Sequence, residues 1–200
     1  MNKDIEKIFP ALGILFIFLG LLAYYNGFKL SGIDGIWWFS YTGLLIIGIG
    51  ILTKKPHWIA SQVNILLIPY LFWNVDFFYV LITGNSLFGL TDYFFTARTL
   101  LSQIITAQHL LVIPAALFVL YFKRLKQNDF WKISFVQIII FFFISRFTNP
   151  ELNINCVFEN CLPFEITFIP YEIVWFTRYI AMIFATNLLL VRMFSGKVYK

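Results

Sequence analysis

The chain has 200 residues and a net charge of +5, but only 12% of its residues are charged while 60% are hydrophobic and 20% aromatic. A soluble domain needs about a quarter of its residues charged, and with a mean hydropathy of +0.80 there is too little polar surface here to cover a globule in water. Basic residues sit at the edges of apolar runs, not in one readable patch, which argues against nucleic acid as a partner.

The expected class is therefore all-α: a polytopic transmembrane helical bundle in which residues 1–200 form a single integral membrane domain. Crossing the hydrocarbon takes about 20 apolar residues in a helix, because lipid leaves unpaired backbone groups without partners. Six stretches qualify, at 8–25, 36–52, 59–83, 103–122, 130–147 and 169–193. The first follows Lys3 and Lys7, and no small-x-small cleavage site appears in "LLAYYNGFKL", so it is expected to stay as a signal anchor. Gly13, Gly20, Gly43, Gly48 and Gly50 allow close helix approach.

In the third stretch, "NILLIPYLFWNVDFFYVLIT", Asp76 sits about seven residues inside one end. An ionised carboxylate there costs about 2.5–3.5 kcal/mol unless paired or wetted. Pro69, Trp73 and Asp76 are spaced to share one face, with Asn74 beside them. Ser102, Thr106 and His109 repeat the spacing in the fourth stretch, which brings His109 to the depth of Asp76. A carboxylate beside an imidazole fixes its tautomer and raises its basicity, so Asp76 and His109 are the candidate catalytic pair. His57, flanked by Lys54 and Lys55, reads as an interface residue at the cytoplasmic side. Arg146 closes the fifth stretch, and Glu172 and Arg178 open the sixth. Glu172 shares a face with Trp175 and Tyr179, whereas Arg178 lies about 240° around the helix and needs another carboxylate, Asp76 or Asp92.

Lys and Arg bias sets orientation. Lys3, Lys7, Lys54, Lys55, Lys123, Arg124, Lys126, Lys132, Arg192, Lys197 and Lys200 fall on one side. Only Lys29, Arg98 and Arg146 fall on the other, together with Asp34, Asp92, Glu151, Glu159 and Glu165. The expected topology has both termini in the cytoplasm and the protein in the plasma or inner membrane. The string "SRFTNPELNINCVFENC" (145–161) then lies outside. There Thr148, Asn149 and Pro150 break the fifth helix, Asn153 and Asn155 alternate as in a short extended segment, and Cys156 and Cys161 are close enough for one disulfide. The two cysteines match no zinc pattern, and no motif for nucleotide, haem or metal occurs, so no cofactor is expected.

"FWNVDF" (72–77), "GLTDYFF" (89–95), His109 followed by Pro114, and "FTNPELNINCVF" (147–158) resemble a family of uncharacterised bacterial multi-pass membrane proteins over most of residues 56–192. The family tends to carry Trp where Cys156 stands. A remoter likeness, in span count and an intramembrane His, is to six-helix membrane hydrolases and acyltransferases of the androgen-induced type, without a matched nucleophile motif.

Three functions are compatible with these residues. The first is an outward-facing polar cavity binding a lipid or small amphipathic molecule through Asn74, Asp76, Asp92, His109, Arg146, Asn153, Asn155, Glu172 and Arg178. The second is an intramembrane lipid hydrolase or acyltransferase, with His109 as base, Asp76 orienting it, and Thr106, Ser102 or Thr91 attacking. The third is a structural bundle partnered by other membrane subunits.

Overall fold

The computed structural model describes residues 3–96, 99–162 and 168–195. Arg98, Glu165, Lys197 and Lys200, part of the charge pattern above, lie outside the described residues. Each of the six apolar stretches carries a helix: α1 (Lys3–Ser31), α2 (Phe39–Leu52), α3 (Pro56–Thr83), α5 (Leu100–Lys123), α6 (Trp131–Arg146) and α7 (Tyr171–Phe194). The single turn α4 (Asp92–Phe95) lies between α3 and α5.

Among the described residues four helices, α1, α3, α5 and α7, are long and apolar enough to cross a membrane. The other two are shorter than the sequence implied. With 14 residues in α2 and 16 in α6, a rise of 1.5 Å per residue gives about 21 and 24 Å, short of the roughly 30 Å hydrocarbon core. Local chemistry explains the ends. Pro56 stands at the start of α3, where its missing N–H is not needed. Gly84 (φ 75°) terminates that helix in the left-handed conformation, which only glycine adopts without strain. The hydroxyl of Thr99 accepts from the Ser102 amide to start α5, and α6 stops at Arg146 ahead of Thr148, Asn149 and Pro150. Pro69 lies within a helix that continues through it.

The helices pack around α3. Every residue from Ile59 to Leu67 is buried, and α2, α5, α6 and α7 all pack against α3. The core runs through Leu44, Ile47, Val63, Val112, Leu120, Ile138, Ile183 and Leu190, each at most 1% exposed. On the outside the pattern is apolar as well: Phe18, Leu21 and Phe28 of α1, Val75 and Ile82 of α3, Leu111 of α5 and Leu188 of α7 are all exposed. A bundle with an oily exterior suits lipid, because water would penalise so large an apolar area. α1 lies along α2, its main neighbour. Gly13 and Gly48 face each other there, and a Cβ on Gly48 would stand 2.7 Å from the Gly13 carbonyl oxygen. This is the close approach that small residues allow.

Candidate functional site

Asp76 is completely buried, and the chain itself satisfies it. Its Oδ1 accepts the amides of Leu87 (2.8 Å) and Phe88 (2.7 Å), and its Oδ2 accepts the amide and the hydroxyl of Thr91, both at 2.9 Å. The 84–91 loop folds back over the end of α3 to do this, turning at Gly84 and Gly89, both with φ 75°. Charge-assisted bonds of this kind are about twice as strong as neutral ones. The carboxylate is thus the anchor of a loop.

His109 has different neighbours. Its Nδ1 lies 2.7 Å from the Thr106 carbonyl oxygen, one turn back on α5. Gln108 Nε2 also lies 3.1 Å from that nitrogen; the shorter contact is to a carbonyl, which only accepts, and with the proton placed on Nδ1 to serve it the neutral ring keeps Nε2 as its acceptor. No described residue is bonded to that Nε2. The ring stacks on Trp73 (centroids 4.8 Å apart, 23° between planes) and tilts against Tyr70 (4.3 Å). Tyr70 hydroxyl and the Gln108 amide bond each other at 3.0 Å, and Trp73 Nε1 donates to the Tyr93 hydroxyl at 3.0 Å. Asn74 donates to the His109 carbonyl at 3.2 Å, while its own Oδ1 is buried without a hydrogen-bond partner. Tyr70, Trp73, Asn74 and His109 thus form an aromatic-walled niche between α3 and α5 in which two acceptors, the buried Asn74 Oδ1 and His109 Nε2, are bonded by no described residue.

The expected hydrogen bond between Asp76 and His109 is not made, because the carboxylate faces the 87–91 backbone and the imidazole proton faces Thr106. Two of the three hydroxyls considered as nucleophiles are engaged. Thr91 donates to Asp76, and Ser102 exchanges hydrogen bonds with the Asn26 side chain of α1 at 3.2 and 3.3 Å.

The 145–161 string is a knot of turns. Pro150–Leu152 and Ile154–Cys156 are 3-10 turns, which corrects the expectation of an extended segment. Asn153, Asn155 and Cys156 take φ of 39°, 55° and 57°, and asparagine tolerates this region better than most side chains. Asn155, only 4% exposed, accepts from the Phe39 amide at the start of α2 (2.9 Å). It donates to the Trp37 carbonyl (2.7 Å) and the Ser145 hydroxyl (3.0 Å), and its own carbonyl accepts from Trp175 Nε1 (3.0 Å). One side chain therefore ties the entry to α2 to the end of α6, and its backbone adds α7.

Asn153 works inside the loop, accepting from the amides of Phe158 and Glu159 and donating to the Glu159 carbonyl. Cys156 and Cys161 form a disulfide. Arg146 pairs with Glu172 at 3.3 Å, donates to the Val157 carbonyl and lies over the Phe158 ring. Arg178 donates to the Asn160 side chain, not to Asp76 as the sequence reading allowed. Asp92 is exposed at the start of α4.

The polar groups that sequence reasoning passed over lie deeper, toward the opposite end. Gln62 and Gln137 exchange amide hydrogen bonds at 2.8 and 3.1 Å. Asn64 donates to Ser134 (3.3 Å) and Asn187 (3.4 Å), and Ser134 donates to the Ser61 carbonyl (2.9 Å). The available signal was "SQVN" (61–64), a polar run inside an apolar stretch. The chain matches no family model, no curated protein and no solved structure.

Proposed function

We propose that this is a multi-pass membrane protein that binds a lipid or small amphipathic molecule at the niche formed by Tyr70, Trp73, Asn74 and His109. The observation that carries this reading is the unpartnered, buried Asn74 Oδ1 beside His109. A buried acceptor without a donor costs about 1–3 kcal/mol, and a ligand bringing a hydroxyl, amide or ammonium group would remove that penalty. The half-buried imidazole offers a second acceptor, and flat aromatic walls suit an apolar chain or ring next to the donor.

Support for six crossings with both termini in the cytoplasm comes from the charge distribution. Lys54, Lys55, Lys123, Arg124, Lys126 and Lys132 are at one end of the bundle, and Asp34, Asp92, Glu151 and Glu159 at the other. α2 and α6 then cross as short helices, which a bilayer accommodates by local thinning. In that topology the niche would lie in the outer half of the plasma or inner membrane. The strings behind the resemblance to uncharacterised multi-pass proteins build the α3 wall, the Asp76 loop and the Asn155 clamp, so membership of that family fits this reading.

Catalysis by His109 has less support, since no orienting carboxylate is bonded to it and two of the three candidate hydroxyls, those of Thr91 and Ser102, are engaged elsewhere. The third reading, a bundle serving other membrane subunits, fits the internal bonds of the outer loops but leaves the open acceptors unexplained.

The test is photolabelling of reconstituted protein with a diazirine-bearing lipid whose headgroup carries hydroxyls. Labels are expected on residues 70–77 and 105–112. In Asn74→Leu they should fall about five-fold, the scale of one hydrogen bond, with unchanged thermal stability, because an apolar replacement removes the unsatisfied atom. Labels spread evenly over the exposed face of α1, or labelling unchanged in Asn74→Leu and His109→Phe alike, would sink the reading. Recovering the lipid probe cleaved by wild type but intact from His109→Phe would favour the enzyme instead.

A further inference from the structure

A second feature lies at the opposite end of the bundle and does not depend on the niche. The short link between α2 and α3 and the link after α5 converge on a cleft of about 390 Å³, a volume equivalent to roughly a dozen waters. Lys54, Lys55, Lys123, Arg124 and Lys126 line it, with His57.

The general bias of Lys and Arg toward one side of a membrane explains five cations near this boundary, but not their arrangement. Lys54, two residues past the end of α2, has φ 56°, and Arg124, the C-cap of α5, has φ 49°. These are left-handed positions, where glycine is free of strain and a long side chain is not. Cations at both strained corners face the same cleft, and strain of this kind tends to mark function.

One wall of the cleft is anchored. Leu125 is 3% exposed, and its amide donates to the Phe194 carbonyl at 3.0 Å, which pins the second link to the end of α7. Three of the cations lie over rings: Lys55 over Trp58, Lys123 over Phe9 and Arg124 over Tyr121, at 4.8, 4.9 and 5.1 Å. Among the described residues the carboxylate paired with one of them is Glu6, 4.0 Å from Lys123, and the side chains of Lys54 and Lys126 are bonded to no described residue. α3, a helix of 28 residues, starts at the cleft with no side-chain cap, so its dipole adds to the positive field.

We infer that this cleft binds a phosphate-bearing anion, either as the headgroup of an acidic lipid or as free phosphate. Five cations with, among the described residues, one peripheral carboxylate call for a multiply charged or strongly accepting anion, and lysine and arginine donors match phosphate oxygens. The aromatic rings under the cations place apolar surface next to the charge, as a headgroup with attached acyl chains requires.

The test uses the full chain in a neutral detergent and follows its melting temperature. The arms are phosphatidylglycerol, phosphatidylcholine and inorganic phosphate. Phosphatidylglycerol is expected to raise the melting temperature where phosphatidylcholine at equal concentration does not. The decisive variant is the double substitution Lys54→Gly and Arg124→Gly, which relieves both strained corners. It should melt higher than wild type without lipid yet bind phosphatidylglycerol about ten-fold more weakly, as removing two partly exposed cations predicts.

A more stable variant that binds less well cannot be explained by misfolding. A stabilisation by inorganic phosphate that is lost in the variant supports the anion site and assigns it to a soluble ligand. Equal shifts with both lipids, or unchanged phosphatidylglycerol affinity in the double variant, would overturn the inference.

Discussion

At the end of the bundle built from the 84–91 and 147–162 loops, the polar side chains find their partners within the chain. Asp76 holds three amides and a hydroxyl, Asn155 joins two helices and a loop, Arg146 meets Glu172, and Arg178 meets Asn160. At the other end, five cations surround a cleft with, among the described residues, one carboxylate at its margin. The difference separates two uses of polarity. A group whose donors and acceptors are matched by its own chain fixes the fold, whereas a group left with unused capacity is available to something outside it. Density of charged and amide residues therefore does not locate a binding site; unmatched capacity does, and by that measure the elaborate 145–161 string is scaffold.

The strongest challenge to this contrast is Asp76→Ala. Buried amides of Leu87, Phe88 and Thr91 would lose their acceptor, and losing several charge-assisted bonds at once is expected to destabilise by about 3–5 kcal/mol. Thermal unfolding in detergent measures it, and protease cleavage confined to the 84–91 loop should appear first. A near-wild-type melting temperature would mean that Asp76 is not the anchor. Asn155→Ala comes next, at about 2–3 kcal/mol, for the lost cap on α2 and the bonds to Trp37 and Ser145. Asn155→Gly should recover part of the loss, because glycine accepts φ 55° without strain. The smallest effect belongs to Arg146 and Glu172, whose side chains are 35% and 45% exposed. A double-mutant cycle with Arg146→Gln and Glu172→Gln is expected to give a coupling of about 0.5–1 kcal/mol, and a value several times larger would show that the pair is better shielded than its exposure implies.

The helices were legible because apolar run length and breakers such as Pro56, Gly84 and Pro150 are local signals. Helix length was less so: Ile36, Trp37, Trp38 and Phe130 extend the apolar runs of α2 and α6, yet these residues belong to the links. At the site, the sequence singled out Asp76, Asn74 and His109 correctly as buried or half-buried polar groups. It could not assign their partners, because the loop that reaches Asp76 closes through backbone amides, and any residue type supplies those. Asn155 was misjudged for a related reason, since alternation with Asn153 suggested a strand while both residues occupy left-handed turns. Gln62 and Gln137, 75 positions apart, carry no mutual signal in a single sequence.

That pair has a consequence for how the chain is made. α3 leaves the ribosome well before α6 and α7 are synthesised, carrying Gln62 and Asn64 whose eventual partners are Gln137, Ser134 and Asn187. During that interval the amides need other company, from water or from other parts of the chain, so the completed bundle depends on a late docking step that C-terminal truncation before residue 137 would abolish.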